Sequence, residues 1–178
     1  MNLPKDFQRL SKKHWTTAAI ARRATKFLVD KPGTRVLDIG SGVGKFCITG
    51  AAFADGIFTG VEQRQNLCVV AESIAKQYQL HNVVFIHANI MDIDFSAYDA
   101  FFFYNSFYEN IDTTEAIDDK VSLSSTIYRS YNLLLAEKLS KMPIGTRIVT
   151  YHGDCVPQEY ELLYANGNDS LKFWEKRS

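Results

Sequence analysis

The chain has few cysteines, no long apolar run and no excess of charge. Its three cysteines, Cys47, Cys68 and Cys155, are far apart and lack metal-ligand spacing, which predicts reduced thiols in the core. No apolar stretch reaches membrane-spanning length and the N-terminal residues lack an apolar signal core, so we expect a cytoplasmic protein without a membrane partner. Basic and acidic residues are equal in number, at 20 each, so the net charge does not indicate a nucleic-acid partner.

What is present is typical of a globular domain. The chain has 178 residues, of which 46% are apolar and 22% charged, and this suits one globular unit with a sizeable core. We found no internal repeat, low-complexity tract or linker in the sequence.

A glycine-rich stretch follows the first apolar run. Residues Val36–Ile39 read as a strand buried on both faces and contain one acid, Asp38. Gly40, Gly42 and Gly44 follow on alternate positions, and a helix is predicted from residue 45. Glycine permits positive φ and the close approach of a ligand, and the start of a helix offers unpaired N–H groups. The order strand, glycine loop, helix therefore predicts a ligand cradle.

This stretch resembles motif I of the class I S-adenosylmethionine (SAM)-dependent methyltransferases. In that family an apolar strand and an acid precede Gly-x-Gly-x-Gly, and Asp38, Gly40, Gly42 and Gly44 match without a gap. The nicotinamide fingerprint Gly-x-Gly-x-x-Gly fits less well, because position 45 is Lys and because Asp38 would repel a phosphate. SAM is therefore the expected cofactor.

Two further stretches resemble the family's nucleoside motifs. Glu62, at the end of the predicted second strand, matches the acid that accepts hydrogen bonds from the ribose hydroxyls, and Gln63 follows it in the expected cofactor site. Asn89, after the third strand, stands where the family usually has an acid that accepts from the adenine 6-amino group. Its amide oxygen can still accept, and the N–H of Ile90 is a candidate donor to the adenine ring.

The candidate catalytic residues follow the fourth and fifth strands. The predicted strand 98–104 leads into Asn105, and the run from Asn105 to Tyr108 resembles motif IV in the loose form Asn-x-Phe-Tyr. The resemblance implies that Asn105 lies at the methyl group and that Tyr108 packs on the acceptor. No proline follows Asn105, unlike in the amino-methyltransferase branch, and a capped turn is the other interpretation. His152, after the fifth strand, is a candidate general base.

The two ends of the chain complete the predicted fold. Residues 160–165 and 171–175 around an Asn-Gly turn predict a hairpin, as at the end of class I methyltransferases. We therefore expect a Rossmann-like α/β sandwich over residues 34–178, with a seven-stranded sheet in the order 3-2-1-4-5-7-6 and strand 7 antiparallel. Residues 1–33 are expected to form a helical cap, with a helix from Leu10 to Leu28. Trp15 is either a lid over the pocket or a core anchor.

The predicted function is methyl transfer from SAM to an unidentified acceptor. Polar acceptors such as Asn105 and a nearby aromatic side chain suit a neutral amine, which favours a nitrogen of a protein or small molecule. A SAM-binding regulatory or partner protein without turnover is the main alternative, and an NAD-dependent oxidoreductase is a weaker one. The sequence indicates neither the acceptor nor the oligomeric state.

Overall fold

Seven strands form one sheet in the order β3-β2-β1-β4-β5-β7-β6. The computed structural model describes residues 16–104, 125–153 and 156–178. The strands are β1 Arg35–Ile39, β2 Ile57–Glu62, β3 Val83–His87, β4 Ala100–Tyr104, β5 Arg147–Tyr151, β6 Tyr160–Ala165 and β7 Leu171–Lys176. The α-helices are α1 Ala18–Leu28, α2 Lys45–Phe53, α3 Gln65–Gln77 and α4 Ser125–Ser140, and 3₁₀ helices span Ile90–Asp92 and Phe95–Ala97.

The strand directions confirm the predicted topology. Strands β1 to β5 pair in parallel, whereas β7 runs antiparallel to both β5 and β6. The carboxyl ends of β1 to β5 therefore meet at one edge of the sheet, where open α/β sheets bind their ligands.

Helices cover both faces of the sheet. On one face, α1, α2 and α3 pack on a core in which Phe46 stacks on Phe102 of β4, with ring centroids 3.9 Å apart. On the other face, Tyr131, Leu135 and Leu139 of α4 pack with the 3₁₀ helices. Strand β4 is buried from both sides, as its continuous apolar sequence predicts.

Helix α1 begins later than predicted. Thr16 and Thr17 are not helical, so the expected continuous helix from Leu10 to Leu28 is wrong at these residues. The hydroxyl of Thr17 accepts a hydrogen bond from the N–H of Ile20 at 3.3 Å and caps the helix. Helix α1 packs on α2 and the sheet. Trp15 lies outside the described residues, and the cap formed by residues 1–33 stays a prediction.

Two strands begin one or two residues later than predicted. Tyr98 closes a 3₁₀ turn through its N–H to the carbonyl of Phe95, so β4 begins at Ala100. The run 146–151 predicts that β5 begins at Thr146. The N–H and the hydroxyl of Thr146 both donate to the carbonyl of Pro143, however, and β5 begins at Arg147.

Candidate cofactor and acceptor site

The glycine loop leaves β1 in a conformation that favours glycine. Gly40, Gly42 and Gly44 have φ of 73°, 55° and 74°, all in the left-handed region. A Cβ on Gly44 would lie 2.3 Å from the ring of Phe85, so a side chain there would also displace this ring. The loop is fixed to the next strand, because the N–H of Ser41 donates to the carbonyl of Val61 at 2.9 Å.

The carboxylate of Glu62 joins this loop to the end of β2. Glu62 is 6% exposed, and its Oε2 accepts a hydrogen bond from the N–H of Gly42 at 3.0 Å. Its Oε1 accepts from the N–H of Arg64 at 2.9 Å. A carboxylate has about four lone-pair positions, so it can serve these two N–H groups and still accept from hydroxyl groups of a ligand. The buried guanidinium of Arg64 lies 3.8 Å away and balances its charge.

Asp38 lies beneath the loop and is 3% exposed. The thiol of Cys47, in α2, donates a hydrogen bond to its Oδ2 at 3.5 Å. Burial raises the pKa of Asp38 to about 7, against the opposing effect of the Cys47 hydrogen bond and with a further increase from the charge of Glu62. A cationic ligand group placed here would favour the charged carboxylate.

A chain of amide and hydroxyl groups connects the ends of β2 and β3. Asn89 caps the first 3₁₀ helix, and its Oδ1 accepts from the N–H of Met91 at 3.0 Å. The Nδ2 of Asn89 donates to the hydroxyl of Tyr131 at 2.8 Å, and that hydroxyl donates to Oε1 of Gln63 at 3.4 Å. Ile90 is the first residue of the 3₁₀ helix, so its N–H has no acceptor within that helix.

Three aromatic rings cluster at the carboxyl ends of β4 and β5. The ring centroids of Tyr104 and Tyr151 are 4.8 Å apart, and those of Tyr151 and His152 are 4.4 Å apart. Burial, and to a smaller extent Tyr151, raise the pKa of Tyr104. His152 is exposed and has φ of 55°, and its N–H donates to the carbonyl of Ser170 at 2.7 Å. Asn105 and Tyr108 lie outside the described residues.

Comparison with known proteins identifies the family. A sequence model described as a methyltransferase domain matches residues 30–140, more than half of the chain. The chain belongs to this family. The predicted enzyme class is thereby confirmed, and SAM is the methyl donor of that class. No curated protein matches the sequence.

Solved structures confirm the fold of the methyltransferase. An RNA methyltransferase from Salinibacter ruber, in complex with S-adenosylhomocysteine, is 18% identical with a TM-score of 0.67, over 92% of this chain and 94% of that one. TrmN from Thermus thermophilus is 16% identical with a TM-score of 0.67, over 96% of this chain and 52% of that one. A SAM-dependent methyltransferase from Aquifex aeolicus is 14% identical with a TM-score of 0.62, over 94% of this chain and 96% of that one.

The described residues fit SAM in their donor set and in their backbone. The glycine loop is left-handed at Gly40, Gly42 and Gly44, and glycine lets a ligand approach the backbone without meeting a Cβ. Glu62 presents a carboxylate suited to ribose hydroxyls, while Asn89 and Ile90 offer an amide oxygen and an N–H suited to adenine. These groups lie at the carboxyl ends of three neighbouring strands, in the order that the motifs predict.

The sequence did not indicate several residues of this site. The spacing of Tyr131 with Leu135 and Leu139 predicts only a buried helix face, and nothing in that spacing links Tyr131 with Gln63 and Asn89. The sequence places Tyr104 and Tyr151 only as the last residues of two apolar runs, and their contact depends on the register of β4 with β5. Hydrophobic periodicity identifies buried positions but not the polar tips of aromatic side chains.

Proposed function

We propose that this methyltransferase transfers the methyl group of SAM to a nitrogen atom of a small molecule or a protein. The observation that carries the proposal is the link between Glu62 and the glycine loop, in which a buried carboxylate holds the N–H of Gly42 at 3.0 Å. This link joins a carboxylate suited to ribose to a left-handed cradle, and a turn without a ligand would need neither.

The residues of the candidate site hold different parts of the cofactor. Glu62, with Gln63 beside it, accepts from the ribose hydroxyls, and the glycine loop lies along the amino-acid portion above Asp38. Asn89 and Ile90 hold the adenine. When bound, SAM supplies a sulfonium whose methyl group already carries its leaving group, so the chain must mainly align the acceptor and exclude water.

The acceptor lies at the ends of β4 and β5 in this proposal. The rings of Tyr104, Tyr151 and His152 form a wall there. Asn105 follows Tyr104 directly in the chain, and its amide oxygen is suited to accept a hydrogen bond from the attacking amine. Tyr108 packs on the acceptor, and the exposed imidazole of His152 is the candidate to take up the proton.

Calorimetry with S-adenosylhomocysteine tests the cofactor half of the proposal. Glu62→Gln removes the charge that strengthens the ribose hydrogen bonds, so its affinity should fall by at least roughly tenfold. Glu72→Gln, a change at an exposed glutamate of α3, is the matched control and should retain the wild-type affinity. An unchanged affinity in a folded Glu62→Gln variant would contradict the assignment.

Transfer of labelled methyl groups tests the catalytic half. The screen offers small-molecule amines, proteins and RNA, since one of the similar structures, of comparable length, is an RNA methyltransferase. With the acceptor found, Asn105→Ala should keep the affinity for S-adenosylhomocysteine within a few-fold but lower the rate about 10²-fold. Binding without transfer to any acceptor would instead support the non-catalytic alternative, and labelled RNA would correct the acceptor class.

A further inference from the structure

The hydroxyl of Tyr131 connects three parts of the chain that are distant in sequence. Tyr131 belongs to α4 and is 7% exposed. Its hydroxyl accepts from Nδ2 of Asn89 at 2.8 Å and donates to Oε1 of Gln63 at 3.4 Å. Asn89 follows β3 and Gln63 follows β2, so the hydroxyl bridges the two loops at one end of the candidate cofactor site.

The bridge has a direction that follows from the chemistry of its members. A phenol hydroxyl has one proton, and donating it to the amide oxygen of Gln63 leaves its lone pairs to accept from Asn89. The other end of the Asn89 amide, Oδ1, already accepts from the N–H of Met91 and retains a second lone pair. Tyr131 thus accepts from one of the two N–H groups of Nδ2 and holds this end of the amide toward α4, while Oδ1 keeps its second lone pair as an acceptor.

We propose that Tyr131 is a positioning residue that makes the purine end of the site selective for a 6-amino group. The inference rests on the proposed function, in which Asn89 faces adenine. A 6-amino group is a donor and matches the second lone pair of Oδ1, whereas a 6-oxo group is an acceptor and would need Nδ2 to turn away from Tyr131 toward the purine. A carboxylate would need no such partner, because both of its atoms accept.

The test compares binding of S-adenosylhomocysteine with that of its 6-oxo analogue, in which hypoxanthine replaces adenine. Wild-type protein should prefer the 6-amino compound by at least about tenfold, since the 6-oxo compound leaves acceptors facing each other. In Tyr131→Phe, Nδ2 of Asn89 loses this acceptor, and the preference should fall at least about fivefold. Tyr78→Phe, at a half-exposed tyrosine after α3, is the matched control and should keep the preference.

A second background separates selectivity from general packing. Asn89→Asp has no amide nitrogen to occupy, so adding Tyr131→Phe to it should change the preference by less than about twofold. Equal weakening of both compounds in Tyr131→Phe, or the same loss of preference in the Asn89→Asp background, would overturn the inference and leave Tyr131 a packing residue. If Tyr131→Phe does not fold, Gln63→Leu removes the acceptor of the hydroxyl, and an unchanged preference there would overturn the inference.

The two proposals fail in different ways. Wild-type protein that binds neither compound would contradict the proposed cofactor and, with it, the basis for this role of Tyr131. Wild-type protein that prefers S-adenosylhomocysteine, with an unchanged preference in Tyr131→Phe, would contradict the role of Tyr131 alone.

Discussion

The buried side chain of Asp38, beside the glycine loop, makes the stability of the fold depend on pH. Burial raises its pKa from 3.8 to about 7, so the folded chain holds a proton on this carboxyl at pH values where the unfolded chain has released it. The carboxyl of Asp38 therefore favours folding most at pH values below its pKa in the unfolded chain. This contribution to the free energy of unfolding is lost as the pH rises toward the pKa of Asp38 in the folded chain, and above that pKa it no longer changes.

Asp38→Asn should remove this pH dependence. Relative to wild type, the free energy of unfolding of the variant should rise by about 1.4 kcal/mol per pH unit between about pH 5 and pH 7, since wild type alone must release a proton. Urea unfolding at several pH values measures the difference. Asp55→Asn, at an exposed aspartate, is the control. If the free energies of unfolding of Asp38→Asn and wild type differ by the same amount at every pH, Asp38 has the same pKa in the folded and the unfolded chain.

A site residue is easier to predict from the sequence when its partners lie close to it along the chain. Asp38 and the three glycines lie within one short stretch, so the local pattern of strand, acid and loop is enough to propose them as site residues. Asn89 was found as a departure from a family motif, but its partner Tyr131 lies on α4, and the contact depends on how that helix rotates on the sheet. A sequence pattern fixes which face of a helix is buried but not which polar atoms then meet.

At the scale of elements, Asn82 ties the end of α2 to the start of β3. Its Nδ2 donates to three carbonyl oxygens, those of Ala51 at 3.2 Å, Ala54 at 3.4 Å and Gly56 at 2.9 Å. The last carbonyls of a helix have no partners within it, and a side chain from a neighbouring loop can satisfy them. Asn82 therefore fixes how α2, which begins at the glycine loop, meets β2.

Asn82→Ala should lower the free energy of unfolding by about 1–3 kcal/mol, because partly buried carbonyls lose their donor. Gln77→Ala removes an exposed amide near the end of α3 and should change the stability by less than about 0.5 kcal/mol. Thermal and urea unfolding of both variants provide the comparison. Equal stabilities of the two variants would show that solvent replaces the Asn82 hydrogen bonds at no cost.

Element boundaries were the part of the fold that the sequence predicted least well. The runs 57–62 and 83–87 predict β2 and β3 with the bounds that the structure gives them, since Gly56 and Asn82 mark where the two runs begin. The predicted helix from Leu10 begins too early, because apolar spacing does not reveal that the hydroxyl of Thr17 caps the helix and that α1 begins at Ala18. The order of the strands was predictable as a whole, since motif I and the terminal hairpin together indicate one family topology.

At the scale of the whole molecule, the terminal hairpin completes the sheet. Strand β7 lies between β5 and β6, so it covers the edge that β5 would otherwise expose. Leu171 and Val149 are both fully buried, and Phe27 of α1 stacks on Phe173 with ring centroids 4.7 Å apart. The hairpin thus continues the hydrogen-bond ladder beyond β5, and it also packs against the helical layer that supports the glycine loop.

Ending the chain after Gly153 should produce an aggregating protein. The truncation leaves the backbone N–H and C=O groups of β5 unpaired along an apolar edge, which favours pairing between chains. Size-exclusion chromatography with light scattering should show species larger than those of the full chain, and S-adenosylhomocysteine binding should be lost. Leu163→Lys, at the bulge of the outer strand β6, keeps β5 covered and should behave like wild type. A truncated chain of wild-type assembly state that still binds S-adenosylhomocysteine would show that β1 to β5 suffice for the cofactor site and that β5 does not need the hairpin to protect its edge.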